Sequence, residues 1–275
     1  MRMALTMFVA AIAAAACGPA ERSGTGGGDD AGGGSDADPG TPPPGNGATT
    51  YVYAHTSSTL YRVDPDTLAI TQVGDFVWSN GSDSMTDIAI DKAGVIIGVS
   101  ATSVYRVDPS NAHAMRLSNG LTGLFNGLSF VPAAMLNQTG DDVLVATRNQ
   151  DGAVFRVDPM TGQTTQIGDM GSSFSSSGDL VAIAGFGTVQ TADNGLSPDR
   201  LVTLAPQTFA ATPVGTDIGF GDIWGLAYWK NKIFGFTDSG EFVLIDPATG
   251  KGTLVQSGGP AWWGAGVTTL APILQ

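Results

Sequence analysis

Aspartate supplies most of the side chains able to do chemistry in this 275-residue sequence, which has only two His and one Cys. Asp87 and Asp179 each open an apolar stretch of the same pattern, Asp87-Ile88-Ala89-Ile90 and Asp179-Leu180-Val181-Ala182. Asp83 and Asp222 stand near similar stretches. Carboxylates brought together at one point could hold Ca2+ through hard oxygen ligands. They could also act as a general acid–base pair, as a carbohydrate-active hydrolase or lyase requires. The plainer alternative is a set of solvated residues capping strand starts. Other chemistries have little support. His55 and His113 occupy different places in the sequence pattern and cannot pair. There is no G-x-S-x-G nucleophile elbow, and Ser175-Ser176-Ser177 has no partner His. No phosphate-binding loop is present. The run from Asp193 to Asp199 lacks the spacing and closing Glu of a calcium loop and reads as a strand connection.

Aromatic residues form the second set. Phe76 with Trp78, Phe125, Phe174, Phe220 with Trp224, and Trp262-Trp263 all fall in segments between repeating strand groups. Aromatic faces bind sugars, peptides or cations by stacking and desolvated contact. The candidate ligand-binding residues are therefore Trp78, Phe220, Trp224, Trp262 and Trp263, and the candidate metal-binding residues are Asp87 and Asp179. The competing expectation is that the aromatics pack between neighbouring units. Adjacent Trp262 and Trp263 are the best exception, because neighbouring extended residues point opposite ways.

A repeat positions these residues. Leu60-Tyr61-Arg62-Val63-Asp64-Pro65 returns as Val104 to Pro109, Val154 to Pro159, Leu201 to Pro206 and Phe242 to Pro247. The prolines are 41 to 50 residues apart. A period in the forties built of short alternating strands indicates propeller blades of four strands. Val63 alternates with Arg62 and Asp64, as in a half-buried strand, with Arg and Asp expected to pair on one face. Pro then fixes a turn, and Thr161-Gly162 and Thr249-Gly250 supply residues tolerant of positive φ. The phrase is thus the hairpin between the third and fourth strands of a blade. The innermost strands carry small residues, where blades crowd around an axis.

Too few residues precede Leu60 to complete the first blade. Gly266-Val267-Thr268-Thr269-Leu270 matches the innermost pattern and is expected to fill the gap. The fold class is therefore all-β, a five-bladed propeller spanning 51–275 whose ring is closed by a C-terminal strand. This closure removes exposed sheet edges.

The phrase L-Y-x-V-D-P-x-T-G resembles the repeats of secreted bacterial β-propellers of the YVTN, NHL and PQQ-like kinds. The resemblance covers 51–275. It implies architecture and leaves activity open, since such families include binding scaffolds, assembly factors and enzymes. The cofactor-docking Trp repeats of PQQ enzymes are missing, so no organic cofactor is expected.

The first 50 residues are of a different kind. Arg2 precedes an uncharged run, Ala4 to Ala16, that ends in small residues, which is the pattern of a secretory signal over 1–16. Cys17 follows directly and resembles the lipidated Cys of a bacterial lipobox, with Ala14 where that pattern usually has Leu. The segment that follows, to Thr50, holds 11 Gly and 5 Pro. Such a composition cannot offset its ordering entropy by burial. It reads as a disordered tether over 17–50. Gly18 after the Cys implies the outer membrane or cell surface of a bacterium.

Net charge completes the exclusions. At −13, with 12 basic residues, the chain cannot present the positive surface that nucleic acid needs. The reading is a membrane-anchored extracytoplasmic binding or scaffold module for a protein or glycan ligand. The alternative is the carbohydrate-active hydrolase or lyase, and a third possibility is a coat lipoprotein without a small ligand.

Overall fold

The computed structural model describes residues 51–148, 151–171, 173–193 and 198–274. The signal segment, Cys17 and the tether lie outside the described residues.

Each repeat folds as one antiparallel sheet, and five such sheets form the propeller. Blade three shows the pattern: Gly127–Val131, Val143–Thr147, Ala153–Val157 and Thr164–Asp169 run from the axis outward. The two inner strands are buried at every position, and the outermost is half-buried to exposed. This gradient explains the composition. Inner strands are sandwiched between neighbouring blades and read as continuous Val, Leu, Ile and Ala. Outer strands meet water on one side and carry Thr and Gln.

The innermost strands Asp87–Ile90, Gly127–Val131, Ser175–Ile183, Ile223–Trp229 and Gly264–Gly266 contact one another in sequence around the axis. The last of these closes the ring. Gly264–Gly266 pairs antiparallel with Val52–His55, with Gly264 opposite His55. Closure thus comes from the C-terminal end of the chain, as expected, but two residues earlier than Gly266 to Leu270. Glycine lets the strand approach where a side chain would not fit. A Cβ on Gly264 would overlap the Asp87 carboxylate and the His55 imidazole. Thr268 instead makes an isolated parallel bridge to Ile90 in the next blade.

The repeated phrase forms the hairpin between third and fourth strands. In blade one its Asp does not pair with the Arg two residues earlier. Asp64 Oδ1 accepts the N–H groups of Asp66 and Thr67 at 3.0 and 2.9 Å. Asp246 Oδ1 accepts those of Ala248 and Thr249 at 2.8 and 2.9 Å. These backbone donors hold both carboxyls below the usual range. Arg62 instead lies over the Tyr51 ring, 5.0 Å from its centroid. The fifth residue of each turn adopts a left-handed conformation: Leu68, Ala112, Gly162, Phe209 and Gly250. Glycine is used at two of the five. Phe209 tolerates the strained φ because its ring is buried in the core between blades three and four.

Blade two carries a fifth strand that the repeat did not reveal. Val77–Trp78 adds in parallel to the outer edge of His113–Ser118.

Candidate functional site

One position recurs in every innermost strand: Asp87, Gly127, Asp179, Gly225 and Gly264. These five residues surround the axis at one level. Three are glycines, and the two carboxyl side chains fill the space that the glycines leave. Asp87 and Asp179 are both fully buried. Backbone N–H groups around the ring converge on them. Asp179 Oδ1 accepts from Leu180 at 2.6 Å and Leu128 at 3.3 Å, and Oδ2 accepts from Leu226 at 2.8 Å. One carboxyl thereby ties blades three, four and five. Asp87 Oδ1 accepts from Ile88 at 2.8 Å, while its Oδ2 meets no protein donor.

Burial pushes both carboxyls well above the ordinary aspartate range, and the charge of Asp179 raises Asp87 further. More N–H donors converge on Asp179, so the first proton leaves from there and Asp87 keeps its own. His55 completes the cluster, with Nε2 3.8 Å from Asp87 Oδ1. Its Nδ1 lies 2.9 Å from the Thr56 carbonyl, so Nδ1 carries the hydrogen and Nε2 the lone pair. Burial lowers its pKa to about 4, so the ring is neutral at physiological pH.

Calcium coordination asks for several free oxygens. The oxygens of Asp179 are committed to backbone N–H groups, which leaves Asp87 Oδ2 as the uncommitted carboxyl oxygen of the pair. Among the described residues, no group of three or more His, Cys, Asp or Glu side chains is arranged to hold a metal ion.

Directly above this level, residues at the axial ends of the innermost strands line an open cavity of about 290 Å³. Thr86, Asn126, Ser177, Trp224 and Trp263 line it, one from each blade, with Leu124 and Phe125. Three of them are pinned alike: Thr86, Asn126 and Trp263 donate their N–H to the carbonyls of Val99, Thr147 and His55 at 2.8, 3.1 and 2.8 Å. Ser177 is held by Asp199 through a 2.6 Å hydrogen bond, and Asp199 Oδ2 also accepts the Ile223 N–H at 2.9 Å. Trp224 and Trp263 meet edge to face, with centroids 6.3 Å apart and planes at 83°.

Of the aromatic candidates, Trp224 and Trp263 therefore come together at the mouth of the axis. The others go elsewhere. Trp262 is 1% exposed and packs edge-on against Tyr61 and Phe236 between blades five and one. It is a core residue, which corrects its assignment to the ligand face. Trp78 packs on Tyr105 and Phe76 at the outer edge of blade two. Phe220 lies beside Gly252 and Ile218 at the outer strand of blade five. Asp87 and Asp179, expected at the channel mouth, lie beneath it. Thr86, Leu124, Asn126 and Ser177 were not singled out by residue type. Their signal was positional, since each lies one to three residues before the recurring axial position at Asp87, Gly127 or Asp179.

Fold and site define a five-bladed β-propeller with an aromatic pocket over a buried axial carboxyl pair. No protein-family profile matches the sequence, and no curated protein does. The fold is similar to that in a crystal structure of a nidogen/laminin complex, with a TM-score of 0.52 at 10% identity, covering 80% of this chain and 99% of that one. A Bacteroides caccae protein of unknown function, solved at 1.35 Å, overlaps with a TM-score of 0.41 at 13% identity, covering 77% of this chain and 73% of that one.

Proposed function

We propose that the protein is a binding module tethered to the bacterial cell envelope, presenting one ligand pocket at the mouth of the propeller axis. The observation that carries this reading is the convergence of one residue from each blade on a cavity walled by Trp224 and Trp263. A cavity of about 290 Å³ suits one small ring or one side chain of a larger partner. In this reading Cys17 is lipidated and the Gly- and Pro-rich segment holds the propeller off the membrane, at roughly 30–35 Å for a flexible coil of that length. The carboxyls of Asp87 and Asp179 are fully buried, which favours binding over hydrolysis.

The test is a glycan and small-molecule screen read by Trp fluorescence, on the wild-type chain and on Trp224→Ala and Trp263→Ala. Saturable binding that both variants lose while remaining folded supports the pocket. Binding that survives in both rejects it, and accumulation of a cleaved product favours the enzyme.

A further inference from the structure

We propose that the mouth pocket takes a small organic ammonium ion, a positive charge sheathed in methyl or methylene groups. This rests on the pocket being the ligand site. The two indoles stand at 83° and form a corner with Phe125 and Leu124 beside it. Aromatic faces carry negative potential and attract cations whose hydration is weak. The polar groups of the lining are Thr86, Asn126 and Ser177, and among the described residues no charged side chain lines the cavity. An anion finds no cationic partner there, and a strongly hydrated metal ion finds no carboxylate to replace its water. An alkylated ammonium needs neither.

Charge beyond the walls points the same way. Leu226, whose N–H binds Asp179, is two residues from Trp224. Over 51–275 the sequence carries 20 acidic residues against 10 basic ones. Arg148 is already paired with Asp151 at 2.8 Å. Such an imbalance over a low-dielectric cleft raises the local concentration of cations. A neutral sugar would use the indole faces and gain nothing from this field.

The experiment titrates the full chain with choline, with tetramethylammonium and with 3,3-dimethyl-1-butanol, the uncharged shape-mate of choline, following Trp fluorescence. Glucose is run alongside. Choline should bind roughly tenfold or more tightly than the alcohol, within the range of cation–π contacts. Trp263→Ala and Trp224→Ala should each weaken choline by roughly tenfold while the melting transition is retained. Equal binding of choline and the alcohol overturns the proposal, as does failure of both ammonium ions to bind. Glucose binding that the Trp variants abolish, without ammonium binding, overturns the proposal and leaves the pocket as the ligand site. Choline binding unchanged in both variants overturns the two together.

Discussion

His55 Nε2 sits 3.8 Å from Asp87 Oδ1, with both side chains fully buried on the propeller axis. A neutral imidazole is stable there, and a protonated one must give up its hydration. The ring titrates at about 4 in the folded chain, against roughly 6.5 when unfolded. As pH falls through that window the unfolded chain takes up a proton that the folded chain refuses. Stability is therefore complete above the unfolded value and declines toward pH 4, by about 3 kcal/mol in all. His55→Asn keeps a donor near the Thr56 carbonyl and removes the titration. Urea denaturation at pH 7 and pH 4.5 should show the wild type losing more stability than the variant. Equal losses would refute the assignment.

Asp87 carries the opposite dependence. Its folded pKa is raised by burial and by Asp179. Its contribution is fully present below the unfolded pKa of roughly 3.9 and is lost as pH rises toward the folded value. Asp87→Asn mimics the protonated acid without titrating. The variant should gain on the wild type in melting temperature as pH rises from 4 to 7, and a constant difference would contradict the shift.

Asp179 is a fastener across three blades. Asp179→Ala leaves the N–H groups of Leu128, Leu180 and Leu226 without an acceptor in a dry interior. Each stranded donor costs about 1–3 kcal/mol. A loss of at least about 3 kcal/mol is expected in chemical denaturation.

The two adjacent tryptophans should separate cleanly. Trp262→Ala opens a cavity in the seam between blades five and one and should cost about 3–5 kcal/mol. Trp263→Ala, on the partly exposed pocket wall, should cost well below that. Comparable losses of stability would mean that Trp263 is also structural.

Cys17→Ser tests the anchor. The chain with Cys17 intact should partition into detergent on Triton X-114 phase separation and incorporate a labelled fatty acid, and the variant should do neither. Detergent partitioning by the variant would rule out a lipid at that position.

The propeller was legible because its repeat states the same physics from blade to blade: alternation along the third strand, apolar inner strands and, in four of the five, a turn capped by Asp. The closing strand was harder to place. Gly264-Ala265-Gly266 has no strand-forming composition and is extended because only glycine clears Asp87 and His55. Arg62 and Asp64 share a face in an ideal strand, but Asp64 stands where the strand ends, and the turn's N–H groups are nearer than any guanidinium. At Trp262-Trp263 alternation requires one residue in and one out, and the order depends on how blade five meets blade one. Asp87 and Asp179 stood out by type. Their meeting as one proton-sharing pair needed the curvature of the ring, which no local pattern encodes.

The pairing of Gly264–Gly266 with Val52–His55 has a kinetic side. The two strands lie at opposite ends of the propeller sequence, so a chain delivered N-terminus first exposes one long before the other. Until the second arrives, His55 and Asp87 lack their neighbour and blade one has an unpaired edge. Four blades can assemble progressively, but the seal is a single late event of high contact order. The half-made ring is the state in which an unpaired sheet edge lies open to chaperones, proteases and other chains.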